Sequence, residues 1–336
     1  MLYCRTTTSS RLLRTWLLTA VVLTVAAAAS GQGTKPLTFD DLMKFRAIRT
    51  PVVSDTGTVI AYGAQPDRGD GEGVVHDLAG GKVHRIPRGS APVISSDGHF
   101  VALVVRPSFA ESEGAKTPPK PGMALLDVRT GNVTPFERVD RFAFSDDGKW
   151  LAYLLSAAPA EKAADAKPAA GGGDEKKLPK GNPLKLRDLA SGQETDIANV
   201  TAFSFDPASG YLAYVQSVED GAGNGLFVRN LADPSLAAVT INQTDKGRYD
   251  QVTWMERGGT LAFLAATDEE GPATLWRWDV SSRSGRQLAA PVDAPAGWTI
   301  PLKNSLAWSR DGARLFFGFK PAAPRPQPEA KKDGAP

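Results

Sequence analysis

AFSDDGKWLAY (143–153) decides the fold. Two short apolar stretches flank Ser145-Asp-Asp-Gly148, and the whole reads as strand, tight turn, strand. A glycine suits the end of such a turn, because φ > 0 costs little without a Cβ. The pattern returns as VVSDTGTVIAY (52–62), VISSDGHFVAL (93–103) and FSFDPASGYLAY (203–214), then as TWMERGGTLAF (253–263) and AWSRDGARLFF (307–317). The turn glycines expected from this alignment are Gly57, Gly98, Gly148, Gly210, Gly258 and Gly312. A small residue (Ala61, Ala102, Ala152, Ala213 or Ala262) precedes the last aromatic or leucine of five second strands, which suits close packing between neighbouring sheets.

A second pattern follows each of the first five copies: VVHDLAGGKVHRI (74–86), ALLDVRTGNVTPF (124–136), LKLRDLASGQETDI (184–197), LFVRNLADPSLAAVTI (226–241) and LWRWDVSSRSGRQL (275–288). Asp77, Asp127, Asp188, Asn230 and Asp279 hold equivalent places, where a short acceptor caps the turn that follows. One acidic or amide residue per repeat is a structural device rather than a catalytic set. Two hairpins per repeat make a four-stranded unit of roughly 40 to 60 residues, the size of a propeller blade.

The expected fold is therefore all-β: an incomplete β-propeller, TolB/WD40-like, with about five complete four-stranded blades plus half of a sixth. The blades are placed at 51–90, 91–140, 141–200, 201–250 and 251–303, with a partial one at 304–319, together spanning 51–319. Only Phe39 to Arg46 looks helical, with Thr38 as N-cap and Asp40 and Asp41 in the first turn. That helix and its lead-in fill 32–50.

Residues 1–31 read as a signal peptide: Arg5, Arg11 and Arg14, then an apolar run from Trp16 to Ala29, then small residues to Gly31. The run is shorter than the roughly 20 residues a spanning helix needs, which argues against the alternative of a membrane anchor. The expectation is export to the periplasm or beyond, with no stable membrane insertion after signal cleavage. The single cysteine, Cys4, lies in the leader, so the exported part has no disulfide. The formal net charge of +2 comes without a basic stripe or interleaved aromatics, so nucleic acid is not an expected partner.

Three stretches rich in Pro, Ala, Lys, Glu and Gly interrupt the pattern at 107–122, 158–181 and 320–336, and their composition predicts disorder. Each follows the second strand of a repeat. In the sixth repeat the chain stops there, so the expectation is a truncation within that blade, the alternative being a natural tail after a short last unit. A half blade leaves an unpaired edge, through which self-association is expected.

KPLTFDDLMKFRAIRTPVVSDTGTVIAYGA (35–64) resembles the start of the propeller in exported prolyl oligopeptidase-like serine peptidases, through Leu37, Thr38, Asp41, Leu42, Met43, Arg46, Ile48, Pro51, Ser54 and Gly57. The Ser-x-Asp-Gly hairpins are shared with TolB-type propellers and are less specific. The resemblance runs from about Lys35 to the last residue. It implies a non-catalytic propeller that gates peptide access to a C-terminal α/β-hydrolase domain. That domain would carry a Ser-Asp-His triad, and peptides would be substrates only through it.

The sequence departs from the family's pattern because it contains no Gly-x-Ser-x-Gly nucleophile elbow. His76, His84 and His99 are expected to be surface polar residues. No residue is assigned a catalytic, cofactor-binding or metal-binding role, and no cofactor is expected. DRGDGEG (67–73) reads as a polar loop, since it lacks the terminal glutamate of a calcium loop. Trp254 and Trp308 are expected in the core, whereas Trp276 and Trp278 share one strand face and are candidates for an exposed surface. Two other readings compete: a complete TolB-like periplasmic binding or scaffold propeller, and a lectin using those tryptophans.

Overall fold

The computed structural model describes residues 36–117, 119–157, 180–267 and 271–322. The expected signal peptide, the insertion through residue 179 and the tail beyond 322 lie outside the described residues. The chain divides into two units, 1–45 and 46–336. In the first, α1 (Phe39–Met43) starts on a capping box: the Asp41 backbone N–H donates to Thr38 Oγ1 and the Thr38 N–H donates to the Asp41 carboxylate, each at 3.2 Å. Hydrogen bonding from Thr38 holds the Asp41 carboxyl below its ordinary range. The helix ends at Met43 rather than Arg46, because Arg46 already begins a strand.

The second unit is all-β. Its strands run in chain order through antiparallel sheets: β1 (Arg46–Val53), β2 (Val59–Pro66), β3 (Glu72–Asp77) and β4 (Lys82–Pro87) form the first. β5 (Gly89–Ile94), β6 (Phe100–Val105), β7 (Gly122–Asp127) and β8 (Val133–Phe136) form the second. A seven-stranded sheet follows: β9 (Val139–Phe144), β10 (Trp150–Leu155), β11 (Asn182–Asp188), β12 (Glu194–Phe205), β13 (Tyr211–Gln216), β14 (Gly225–Asn230) and β15 (Val239–Gln243). Strand β12 joins two four-stranded units. Its first half pairs with β11 (Thr195↔Leu186), its second half with β13 (Phe203↔Tyr214). These two units are counted below as the third and fourth sheets.

The fifth sheet is β16 (Arg248–Trp254), β17 (Thr260–Ala266), β18 (Thr274–Asp279) and β19 (Ser284–Ala289). Last comes a hairpin in which β20 (Trp298–Thr299) pairs with β23 (Lys320–Pro321), and β21 (Ala307–Trp308) with β22 (Leu315–Phe316). Repeated four-stranded meanders of this kind are the building unit of β-propellers.

Each hydrophobic cluster lies between consecutive sheets, and the recurring Leu-Ala-Tyr signature explains how. Ala61, Ala102, Ala152, Ala213 and Ala262 are all 0% exposed, and each belongs to the cluster shared with the following sheet. Their large neighbours on the same strand turn the other way. Leu151 and Tyr153 pack back on the second sheet, Leu212 and Tyr214 on the third, Leu261 and Phe263 on the fourth. The small side chain of one sheet thus makes room for the large pair of the next. Trp254 and Trp308 tie the first strands together: their indole N–H groups donate to the Ser204 and Thr253 carbonyls of the preceding unit, each at 3.2 Å.

The structure corrects several expectations. In the fourth copy the left-handed residue is Ser209 (φ 56°) and not Gly210, because Asp206 occupies the serine position of the turn one residue earlier in the alignment. Residues 107–122 are not a wholly unstructured stretch. They hold α2 (Phe109–Ser112), started by a capping box in which the Glu111 N–H donates to Ser108 Oγ at 3.1 Å and the Ser108 N–H to Glu111 Oε2 at 3.0 Å. Lys320 and Pro321 are not part of a free tail but pair with β20. The first strand begins at Arg46, inside the expected lead-in. It absorbs Pro51, which has no N–H, at a bulge where Thr50 takes φ 45°.

Candidate functional site

In every sheet, the hairpin turns lie at one end of the strands and the connections between hairpins and between sheets lie at the other. The turn end satisfies its own polar groups. Ser145 Oγ donates to Asp147 Oδ1 at 2.7 Å while accepting the Trp150 N–H at 2.9 Å, and Gly148 closes the turn at φ 69°. Ser95–Asp97 and Ser309–Asp311 repeat the same bond at 2.5 Å. Gly57, Gly98 and Gly312 also take positive φ, and so does Gly258 in the fifth copy, where Met255 replaces the serine.

At the second turns the repeated spacing places an acceptor on the backbone. Asp77 accepts from the Gly80 N–H (2.8 Å), Asp127 from Arg129 (3.0 Å), Asp188 from Ser191 (2.8 Å), Asn230 from Ala232 (2.9 Å) and Asp279 from Ser281 (2.9 Å).

One of these turns brings Ser95, Asp97 and His99 together, with His99 Nδ1 3.0 Å from Asp97 Oδ2. It is no nucleophilic triad. The carboxylate stands between serine and histidine, whereas activation needs the imidazole against the hydroxyl; moreover Ser95 is 1% exposed. His76 stacks on Tyr62 and lies 3.2 Å from its hydroxyl, and His84 sits beside Gly131. Trp278 is buried edge-on against Trp254, and Trp276 stacks on Phe263 at 6.4 Å. The face these two tryptophans share is packed on the preceding sheet, so it is not the exposed surface a lectin would need. Among the described residues, no three His, Cys, Asp or Glu side chains converge on a metal-sized site.

The turn end does store like charge. Partial burial pushes the Asp146 carboxyl above its ordinary range, and the carboxylates of Asp206, Asp147 and Asp55 push it further. A raised folded-state pKa means that this group stabilises the fold below the unfolded pKa, and that the contribution is lost as pH rises through the folded value. Asp146→Asn is therefore expected to raise the melting temperature at neutral pH, by the equivalent of no more than about 1 kcal/mol for so exposed a group. The gain is expected to vanish under acid conditions. Thermal melts across pH check this, and a lower melting temperature at neutral pH would contradict it.

The other end, called here the crossover end, is where the chain leaves its ordinary preferences. Arg88, Arg138, Asn199 and Lys246 lie at the passages from sheet to sheet, all left-handed, with φ between 54° and 60°. Three share one backbone bond: the carbonyls of Arg88, Arg138 and Asn199 accept the N–H of Arg106, Ser156 and Ser217, the residue beyond each second strand. First strands of the third to fifth sheets, with the last hairpin, wall a pocket of about 380 Å³ lined by Arg141, Thr201, Tyr249, Asp250 and Leu302. Arg141 donates to the Thr201 carbonyl at 3.2 Å and lies over the Phe203 ring at 5.2 Å.

A second concavity, about 520 Å³, lies beside α2. The helix is pinned from the first sheet: Asp70 accepts the Phe109 N–H at 2.7 Å, and Arg68 pairs with Glu113 at 2.6 Å while covering the Phe109 ring at 5.3 Å. That is the role of the Arg-Gly-Asp loop, and composition did not reveal it. The Ser108-x-x-Glu111 spacing was the local signal for the helix.

This is a propeller fold, with two concavities of mixed polar and apolar lining at its crossover end. No known protein family matches the chain's sequence, and no curated protein matches it. Among solved structures, it is similar to the β-propeller domain of the Trilobed protease from Pyrococcus furiosus, at 12% identity and a TM-score of 0.43, over 84% of this chain and 86% of that one. It is also similar to Porphyromonas gingivalis dipeptidyl peptidase 4 (16%, TM-score 0.47, 83% of this chain) and to Kuenenia stuttgartiensis hydrazine synthase (13%, TM-score 0.41, 85% of this chain and 76% of that one). The chain spans 44% of the dipeptidyl peptidase's length.

Proposed function

We propose that this chain is the peptide-gating propeller part of an exported serine peptidase of the prolyl oligopeptidase type, and that it has no hydrolytic activity of its own. The observation that carries the reading is the crossover end. There, first strands from several sheets wall one pocket, while the insertion holding α2 is pinned beside a second. Walls that mix apolar side chains with charged and polar groups suit a peptide, which offers both kinds of surface. The opening segment from Leu37 to Gly57 supports the assignment to this peptidase type, and the leader at 1–31 supports export.

The test takes the full chain with proline-containing peptides and a fluorophosphonate that labels active-site serines. Peptide binding is expected, measured by fluorescence anisotropy, with neither cleavage nor labelling. Turnover or a labelled serine would overturn the non-catalytic part; failure of every peptide to bind would overturn the gating part.

A further inference from the structure

We propose that the groove at the crossover end of the second sheet is a docking site for an acidic peptide segment. This deepens the peptide-gating reading, on which it rests, by naming the class of peptide. Arg88, Arg106, Lys120 and Arg138 all line this one groove, together with two carboxylates, Glu111 and Glu137.

The cations are short of partners. Among the described residues, Arg106, Lys120 and Arg138 form no ion pair, and Arg88 reaches only Glu111, at 3.9 Å. Glu111 is itself engaged as the acceptor of its helix's capping box. Two of the arginines are also held against their backbone preference: Arg88 lies at φ 60° and Arg138 at φ 54°. Asparagine takes that conformation more readily, and the next crossover does use Asn199. Arg138 has no ion pair among the described residues to offset that strain, and Arg88 has only its long contact to Glu111.

The remaining wall is apolar, from Pro107, Pro135 and Phe136. These add desolvated surface beside the guanidinium groups, which strengthens a charge-assisted bond to a carboxylate. A volume of about 520 Å³ falls within the ~300–1,000 Å³ of ordinary ligand sites. One guanidinium is enough for a single carboxylate, held through two parallel bonds. Four cations around one groove therefore favour a segment bearing several carboxylates over a lone chain terminus. The pinning of α2 by Asp70 and Arg68 keeps the groove formed before anything binds.

The experiment is fluorescence anisotropy on the full chain with three labelled peptides: an amidated Glu/Pro peptide, its Gln/Pro counterpart, and the Gln/Pro peptide with a free C-terminal carboxylate. The amidated Glu/Pro peptide is expected to bind about tenfold tighter than the amidated Gln/Pro peptide, with the advantage screened by salt. Arg88→Asn with Arg138→Asn is expected to erase that advantage while leaving the melting temperature unchanged or higher, since asparagine tolerates the left-handed backbone. Arg106→Gln, at an ordinary backbone position, is expected to weaken acidic-peptide binding by itself.

Undiminished binding of the Glu/Pro peptide by the double variant would overturn the proposal, as would equal affinity for the free-carboxylate peptide. If Glu/Pro and Gln/Pro peptides bind equally, the acidic preference fails and the gating reading stands. If none binds, both fail.

Discussion

Phe263→Ala is expected to destabilise the fold by about 3–5 kcal/mol, the range for emptying a buried aromatic site that cannot collapse. Phe263 is 1% exposed and sits where the fourth sheet meets the fifth, stacked on Trp276 at an interplanar angle of 9° and tilted against Tyr249 at 6.3 Å. Removing the ring leaves both aromatics without a partner on one side, and the β-sheet backbone cannot close in without breaking ladder bonds. Urea unfolding is the measurement: the midpoint is expected to fall with the slope unchanged. Phe263→Leu, which refills most of the volume, is expected to recover much of the loss. A shift below about 1 kcal/mol would contradict the placement of this side chain in the interface.

Ala152→Leu is expected to cost about 1–3 kcal/mol or more, by the opposite mechanism. Ala152 is 0% exposed and faces Leu212 and Tyr214 of the next sheet across their shared cluster. Three added carbons have nowhere to go, so either Tyr214 leaves its rotamer or the sheets move apart. Combining Ala152→Leu with Leu212→Ala restores the total volume, and the double variant is expected to be more stable than the sum of the two single losses. Strict additivity would show that the two side chains do not meet. Burial also raises the Tyr214 hydroxyl's pKa, the expected result for a phenol enclosed in such an interface.

Much of the architecture was legible before coordinates, and the reason is locality. Ser-x-Asp-Gly turns, Asp-capped turns and strands of about six residues are encoded within a dozen positions, where hydrogen bonds such as Ser145 to Asp147 form between near neighbours. The exceptions are instructive. Gly210 looked like the turn glycine because its residue type fits, but Asp206 in the serine place moves the left-handed position to Ser209. Residues 107–122 have the composition of a disordered stretch, yet the Ser108 capping box and a contact to Asp70, 39 positions earlier, order part of it.

The candidate site was the least legible part. Arginine has no preference for φ > 0, so nothing in the sequence marked Arg88 and Arg138 as crossover residues. Nothing local placed them beside Arg106 either. Trp276 and Trp278 were read to one face of one strand, and they do share it, but only packing decides whether a face meets water or another sheet.

The sequence by itself determined the strands, their turns and their order, because each is fixed by short-range hydrogen bonding and by the two-residue period of the pleat. Tertiary structure alone decided the facing of each side chain, the interlock of alanine with the next sheet's Leu–Tyr pair, and the gathering of cations at the crossover end. With both faces of a strand buried, alternation of polar and apolar residues disappears from the sequence, and the direction of every side chain is set by the neighbouring sheet.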